Sequence, residues 1–258
     1  MATKIAITNQ KGGVGKTTTS VNLAYYLARA GHKTLLLDFD PQGNATSGLG
    51  AEKASLKKTM TDVILGKAPL AVAVMEMKFE GLKLAPATPH LANAEVELNS
   101  MSKKFVQLKN AIKDIEDNYE YIVIDSPPSL SLLTVNGLIA ADYLIIPVQT
   151  EFYALEGVGQ LLETMKLLKS GMNPNLRLLG VVATMFDSRT SLSTQVLAEI
   201  KKFFKDKVFE TTIPRNVRLA EAPSHGVPIG VYDRFSKGAR AYKKLTAEVI
   251  KRVEYNKK

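Results

Sequence analysis

Residues 10–20, "QKGGVGKTTTS", place two lysines, Lys11 and Lys16, on either side of a glycine turn. Between a strand and a helix, such a turn binds phosphate. Gly12, Gly13 and Gly15 let the backbone approach an anion with no Cβ in the way. The amides of Val14 to Thr18, at a helix N-terminus, then surround its oxygens. Lys16 reaches the β- and γ-phosphates, and the Thr17 hydroxyl holds Mg²⁺. The generic spacing asks for a glycine at position 10, where this chain has Gln10, and has no place for Lys11. One lysine suffices for a phosphate, so the second needs its own explanation. A dinucleotide site is the rival use of these glycines. It fits less well, because Thr18 stands at the third glycine position and Lys16 sits inside the turn.

Carboxylates follow at two places. "LLLDFDPQGNATSGLG" (35–50) closes an apolar run with Asp38 and Asp40. They alternate along an extended chain and so point to the same side. One of them, Asp38 the better candidate, could do no more than cap a turn. "YIVIDSPPSL" (121–130) closes a second apolar run with Asp125, and its two prolines stiffen the backbone that follows.

These residues need elements to hold them. The runs at 4–8, 33–38, 121–125, 143–148 and 178–184 read as buried strands, with 81–87 and 228–233 as weaker candidates. Val21, Ala24, Leu27 and Ala28 mark one face of a helix that Gly31 ends. Alternation of strand and helix predicts an α/β fold, a mainly parallel twisted sheet with helices on both faces. The carboxylates then fall at the carboxyl edge of that sheet, where such folds bind ligands. No linker, repeat or low-complexity stretch interrupts the 258 residues, so one domain over 1–258 is expected.

Composition narrows the chemistry further. With no cysteine, thiolate metal sites, disulfides and cysteine nucleophiles are excluded. No apolar run is long enough for a membrane span, and "MATKIAIT" does not read as a signal peptide, so a cytoplasmic location is expected. Residues 1–200 carry 19 Lys/Arg and 19 Asp/Glu, whereas residues 201–258 carry 15 and 6. The whole excess of +9 therefore sits in the last fifth of the chain, which points to an anionic surface as partner.

"KGGVGKTT" is a deviant Walker A sequence and resembles the ParA/MinD ATPases. The resemblance extends over most of the chain through "DPQGNATSGLG", "IDSPPSL", "PVQTEFYALEG" and "IPRNVRLAEAPSHGVPI", and is nearest to the short Soj-type partition ATPases. It implies an ATP–Mg²⁺ sandwich homodimer in which Lys11 crosses to the partner's phosphates and stabilises charge during transfer. The resemblance makes Asp40 the residue that positions or activates the attacking water. It further implies that Asp38 supports the metal or the switch, that Asp125 is the Walker B carboxylate on Mg²⁺, and that "SPPS" senses the γ-phosphate. Adenine would lie against Thr184–Met185 and the Pro214-Arg215-Asn216 loop, with Asn216 reading its edge. The longer members' N-terminal helix-turn-helix domain is not expected ahead of the first strand. The resemblance also implies non-specific double-stranded DNA on the nucleoid, a ParB-type partner that stimulates hydrolysis and, as a further partner, a replication initiator.

The MinD branch instead coats membrane through a C-terminal amphipathic helix. Taken as a helix from Ser236, the chain end places Tyr242, Leu245, Val249 and Val253 on one side. Lys237, Arg240, Lys244 and Lys251 fall on the other. This fits a helix docked on the core with its charge outward, and the ending "VEYNKK" makes a poor anchor, so DNA is expected over membrane. Arg189 aligns with an arginine the family uses on DNA. Arg218, Lys201, Lys202, Lys205 and Lys207 are further candidates, with Lys237, Arg240 and Lys244 behind them. Phe152 and Tyr153 fit equally a place in the core or beside a dimer interface.

Overall fold

The computed structural model describes residues 1–257, with side chains through Asn256. Seven strands form one sheet: β1 (Thr3–Ile7), β2 (Thr34–Asp38), β3 (Met75–Glu76), β4 (Leu82–Ala85), β5 (Tyr121–Asp125), β6 (Tyr143–Gln149) and β7 (Arg177–Thr184). Their order across the sheet is β3-β4-β2-β5-β1-β6-β7. Every pairing is parallel except that of β3 with β4.

The strands are apolar on both faces because both faces are covered. Their alternate residues separate into two cores. Ala6, Leu35, Leu37, Ile122, Ile124, Leu144 and Ile146 pack on one side, and Ile5, Ile7, Leu36, Val123 and Ile145 on the other. Helix α1 (Lys16–Arg29) covers the second side with the expected face of Val21, Ala24, Leu27 and Ala28. It ends at Ala30, followed by Gly31 at φ +95°.

The C-terminal helix Lys237–Lys257 packs against α1 and β7. Tyr242, Leu245, Val249 and Val253 are all at most 1% exposed, so this helix has no apolar face left to insert into a lipid surface. No helix among the described residues is long and apolar enough to cross a membrane.

One strand expectation needs correction and one strand was not expected. Residues 228–233 form a short helix, Ile229–Tyr232, in place of a strand. The Ile229 amide finds its acceptor in the Asn22 side chain of α1 (2.9 Å). The outer edge of β7 is already occupied by Phe209 and Ile213, whose amides donate to Val181 and Ala183. The two-residue strand β3 went unforeseen because it is too short to carry a period-2 signal.

Candidate active site

β1 delivers the chain to the loop 8–15, and α1 begins at Lys16. Gly13 and Gly15 adopt φ of +74° and +86°, a left-handed conformation that other residues enter only at a cost. Asn9 holds the loop from inside: its Nδ2 donates to the Pro147 carbonyl (2.7 Å) and its Oδ1 accepts from the Lys11 amide (3.0 Å). The Lys16 side chain is buried, and its Nζ donates to the Lys11 carbonyl at 2.9 Å. Burial lowers the pKa of Lys16, while the charges of Asp125 and Asp40 act to raise it. The Lys11 side chain has no hydrogen bond or ion pair among the described residues.

Asp125 and Asp38 sit opposite each other on paired strands, β5 and β2. Burial, and then the Asp38 charge beside it, raise the pKa of Asp125. Asp38 is raised chiefly by burial, which its hydrogen bonds from Thr46 counteract. One oxygen of Asp125 accepts from Ser20 Oγ (2.7 Å), one turn along α1. Its Oδ2 is buried without a partner, as are Thr8 Oγ1 and Ser126 Oγ at the same ends of β1 and β5. Three orphaned polar atoms at one sheet edge are costly unless a ligand or water meets them. No group of three or more His, Cys, Asp or Glu among the described residues could hold a metal alone. Thr17 and Asp125 therefore suit an ion that brings phosphate oxygens and water with it, as Mg²⁺ does.

The two aspartates of the second motif engage different partners. Asp40 caps the turn, its Oδ1 accepting from the Gln42 amide (2.9 Å) and its carbonyl from the Gly43 amide (2.9 Å). Asp38, for which capping was only the bland alternative, accepts at Oδ2 from the amide (2.7 Å) and hydroxyl (2.6 Å) of Thr46. Of the two supports expected of Asp38, the metal or the switch, these bonds go to the switch segment. Its carboxylate anchors the short helix Asn44–Gly48, because β2 ends at Asp38 and the alternation that would align it with Asp40 ends there too.

Thr46, which sequence reasoning passed over inside "DPQGNATSG", also accepts from the Ala87 amide (2.9 Å). Farther on, Gly50 and Gly226, both at positive φ, touch backbone to backbone and tie this segment to residues 217–229.

Beside the loop lies a cavity of about 310 Å³. Thr184, Met185, Pro214, Asn216 and Tyr242 are among its walls, together with Gly15 and Thr18. The expected base-binding residues are therefore brought together next to the phosphate loop. Asn216 Oδ1 is buried without a partner, an acceptor suited to an exocyclic amine. Thr184 Oγ1 donates to the Val14 carbonyl (2.8 Å), joining this wall to the loop. Tyr242, not foreseen here, shares a buried hydrogen bond with Thr19 of α1 (3.1 Å).

The cationic candidates are dispersed. Arg189 is held bidentately by Asp187 (2.9 and 2.7 Å). Arg218 pairs with Glu221 (2.9 Å) and lies near Asp233 (3.8 Å). Lys201 and Lys202 are exposed on the helix Ser191–Phe204, and Lys237, Arg240 and Lys244 are exposed on the C-terminal helix. Phe152 and Tyr153 are 68% and 66% exposed, which removes the core reading for both. Their loop adjoins the phosphate loop at Gln10 and the base cavity through an Arg215–Glu151 ion pair (2.8 Å).

Residues 2–178 match the family described as an AAA domain. The sporulation initiation inhibitor protein Soj of Bacillus subtilis is 54% identical over 245 residues, covering 95% of this chain and 97% of that protein. The chromosome-partitioning ATPase Soj of Thermus thermophilus is 50% identical, with 97% and 96% covered. Among solved structures, cobyrinic acid a,c-diamide synthase from Mycobacterium smegmatis with bound ATP analog and magnesium superposes with a TM-score of 0.87. It is 35% identical, with 98% of this chain and 96% of that one covered. The septum site-determining protein MinD of Pyrococcus horikoshii, complexed with Mg-ADP, gives 0.77 at 27% identity, with 96% of each chain covered.

Proposed function

The chain belongs to the Soj/ParA family of chromosome-partitioning ATPases, and from that premise we propose that it cycles between a free protomer and an ATP-bound homodimer that coats DNA. It hydrolyses ATP with Mg²⁺. The observation that carries the dimer reading is Lys11. Its carbonyl receives Lys16, so the loop is complete within one protomer, while its own side chain has no partner among the described residues. A second copy with its bound nucleotide supplies that partner.

The roles follow from position. The amides of Gly12 to Thr18 and the Lys16 ammonium bind the phosphates. Thr17 and Asp125 would hold Mg²⁺, which would supply positive charge to offset that of the phosphates. Met185, Pro214 and Asn216 receive the adenine. Asp40 orients the attacking water and accepts its proton as oxygen bonds to the γ-phosphorus and the bond to ADP breaks. Lys11 of the other protomer stabilises the charge that develops. Asp38 holds Asn44–Gly48 in the arrangement that presents Asp40.

Arg189, Arg218, Lys201, Lys202 and the cations of the C-terminal helix supply a phosphate-directed DNA surface. A ParB-type protein stimulates hydrolysis and so releases the DNA. The chain acts as one domain, in the cytoplasm and on the nucleoid. The buried apolar side of the C-terminal helix disfavours the membrane alternative. Co-sedimentation with non-specific duplex DNA under ATP, ADP and no nucleotide, across a salt series, tests this reading. ATP-only binding that weakens with salt is expected. Equal binding in all three states, or binding to anionic vesicles alone, contradicts it.

A further inference from the structure

The segment Thr211–Asn216 stands between two hollows. On one side is the base cavity. On the other is a groove of about 570 Å³, walled by Thr211, Thr212 and Pro214 and, across from them, by Lys237, Arg240 and Lys244. Pro214 faces both spaces. The C-terminal helix does the same: Tyr242 lines the base cavity, whereas Arg240 and Lys244 line the groove.

This wall is stiff and attached at both ends. The Glu248 carboxylate of the C-terminal helix accepts from the amides of Glu210 (2.9 Å) and Thr211 (3.2 Å). Two residues on, the Ile213 amide donates to Ala183 of β7 (2.8 Å). Phe186 then donates to Ile213 (3.0 Å), and Arg215 donates to Phe186 (3.1 Å). The segment 211–215 is thereby bonded to β7 and to the helix bearing the three cations.

Lys237 and Lys244 are exposed and form no ion pair among the described residues. Arg240 is fixed by two bonds from Nε and Nη2 to the Phe235 carbonyl (3.1 and 2.7 Å). Arg189 and Arg218 are, by contrast, already engaged by carboxylates. Glu210 is the one acidic residue of the groove wall. Three cations facing two hydroxyls suit a phosphodiester backbone. A lipid surface would also want an apolar side chain to insert, and the helix buries its own.

We propose that this groove takes backbone phosphates of a nucleic acid, and that a base in the adjoining cavity sets its shape through the shared wall. The inference rests on the DNA-binding reading and names its regulation. DNA affinity then answers to the base within each protomer as well as to dimerisation, and by linkage DNA tightens nucleotide binding in return.

Amide hydrogen exchange on the wild-type protein separates the base from the γ-phosphate and from dimerisation. Saturating Mg²⁺–ADP is compared with saturating Mg²⁺–pyrophosphate. ADP slows exchange across 211–216 and 237–245 by about 5-fold more than pyrophosphate does, the low end of ordinary coupling. Equal exchange with the two anions overturns the proposal. In parallel, Lys237→Gln with Lys244→Gln lowers affinity for a 24-base-pair duplex under ATP by about tenfold. The double variant also reduces the salt slope by about 2 and leaves the ATP dimer intact. A double variant that binds duplex as the wild type does overturns the inference alone. A wild type that binds no duplex with ATP, or binds only anionic vesicles, removes the DNA reading and the inference with it.

Discussion

Thr46→Val removes one hydroxyl and keeps the shape of the side chain. That hydroxyl donates to Asp38 at 2.6 Å and accepts from the Ala87 amide at 2.9 Å, at a fully buried position. A hydrogen bond to a charged group is worth about 1.5–3 kcal/mol, and a buried amide left without an acceptor costs about 1–3 kcal/mol. The Thr46 amide still donates to Asp38, so the carboxylate retains one of its Thr46 contacts. The expected loss is about 3–5 kcal/mol. At about 2–4 °C per kcal/mol for a chain near this size, the Tm falls by roughly 10 °C. Thr46→Ser keeps the hydroxyl, loses one methyl group and costs about 1 kcal/mol. Urea and thermal unfolding of the nucleotide-free protein compare the two. A valine variant within about 1 kcal/mol of the serine variant refutes the view that this hydroxyl fastens the switch segment to β2.

Gly226→Ala places a Cβ 2.7 Å from Gly50 Cα at φ +63°, and unfolding should show a loss of about 2–4 kcal/mol. Gly66→Ala, at φ +69° with open space around it, should cost only about 1–2 kcal/mol, and equal losses at both sites would contradict the packing argument. Asp125 keeps its proton when folded at pH values where an unfolded aspartate has lost it. Its contribution is thus fully present near pH 4 and is lost as pH rises toward about 8. Without Mg²⁺, Asp125→Asn should therefore gain stability relative to the wild type between those limits, and a constant difference in urea midpoints at pH 5 and pH 8 would contradict it. Asn216→Leu should weaken ATP about tenfold and leave tripolyphosphate binding unchanged by calorimetry, consistent with the loss of one or two hydrogen bonds to the base. Equal losses for both ligands would place Asn216 outside the base site.

The legible parts of the sequence were those where one local pattern has one physical use. Five strand runs, the α1 face and the Tyr242–Val253 stripe followed from periodicity, because burial acts on each residue of a regular element separately. The phosphate loop was readable because its glycines need conformations that few other residues adopt. Which of Asp38 and Asp40 caps the turn was not legible, because Asp38 is taken up by Thr46, whose hydroxyl is itself held by the Ala87 amide 41 residues on. The strand expected at 228–233 failed for a like reason: Asn22, some 200 residues away, supplies the acceptor that fixes a helix there. Pairing of Arg189 with Asp187 lies within one turn, yet sequence alone does not say which of several nearby carboxylates an arginine takes.

The central claim is that Lys11 completes a second protomer's site and not its own. Sedimentation velocity of the wild type and of Lys11→Ala, with Mg²⁺–ATP and with Mg²⁺–ADP, tests it most directly. The account predicts a dimer only for the wild type with ATP, while the variant still binds ADP as a monomer with little change in affinity. A Lys11→Ala protein that dimerises with ATP as the wild type does would contradict it.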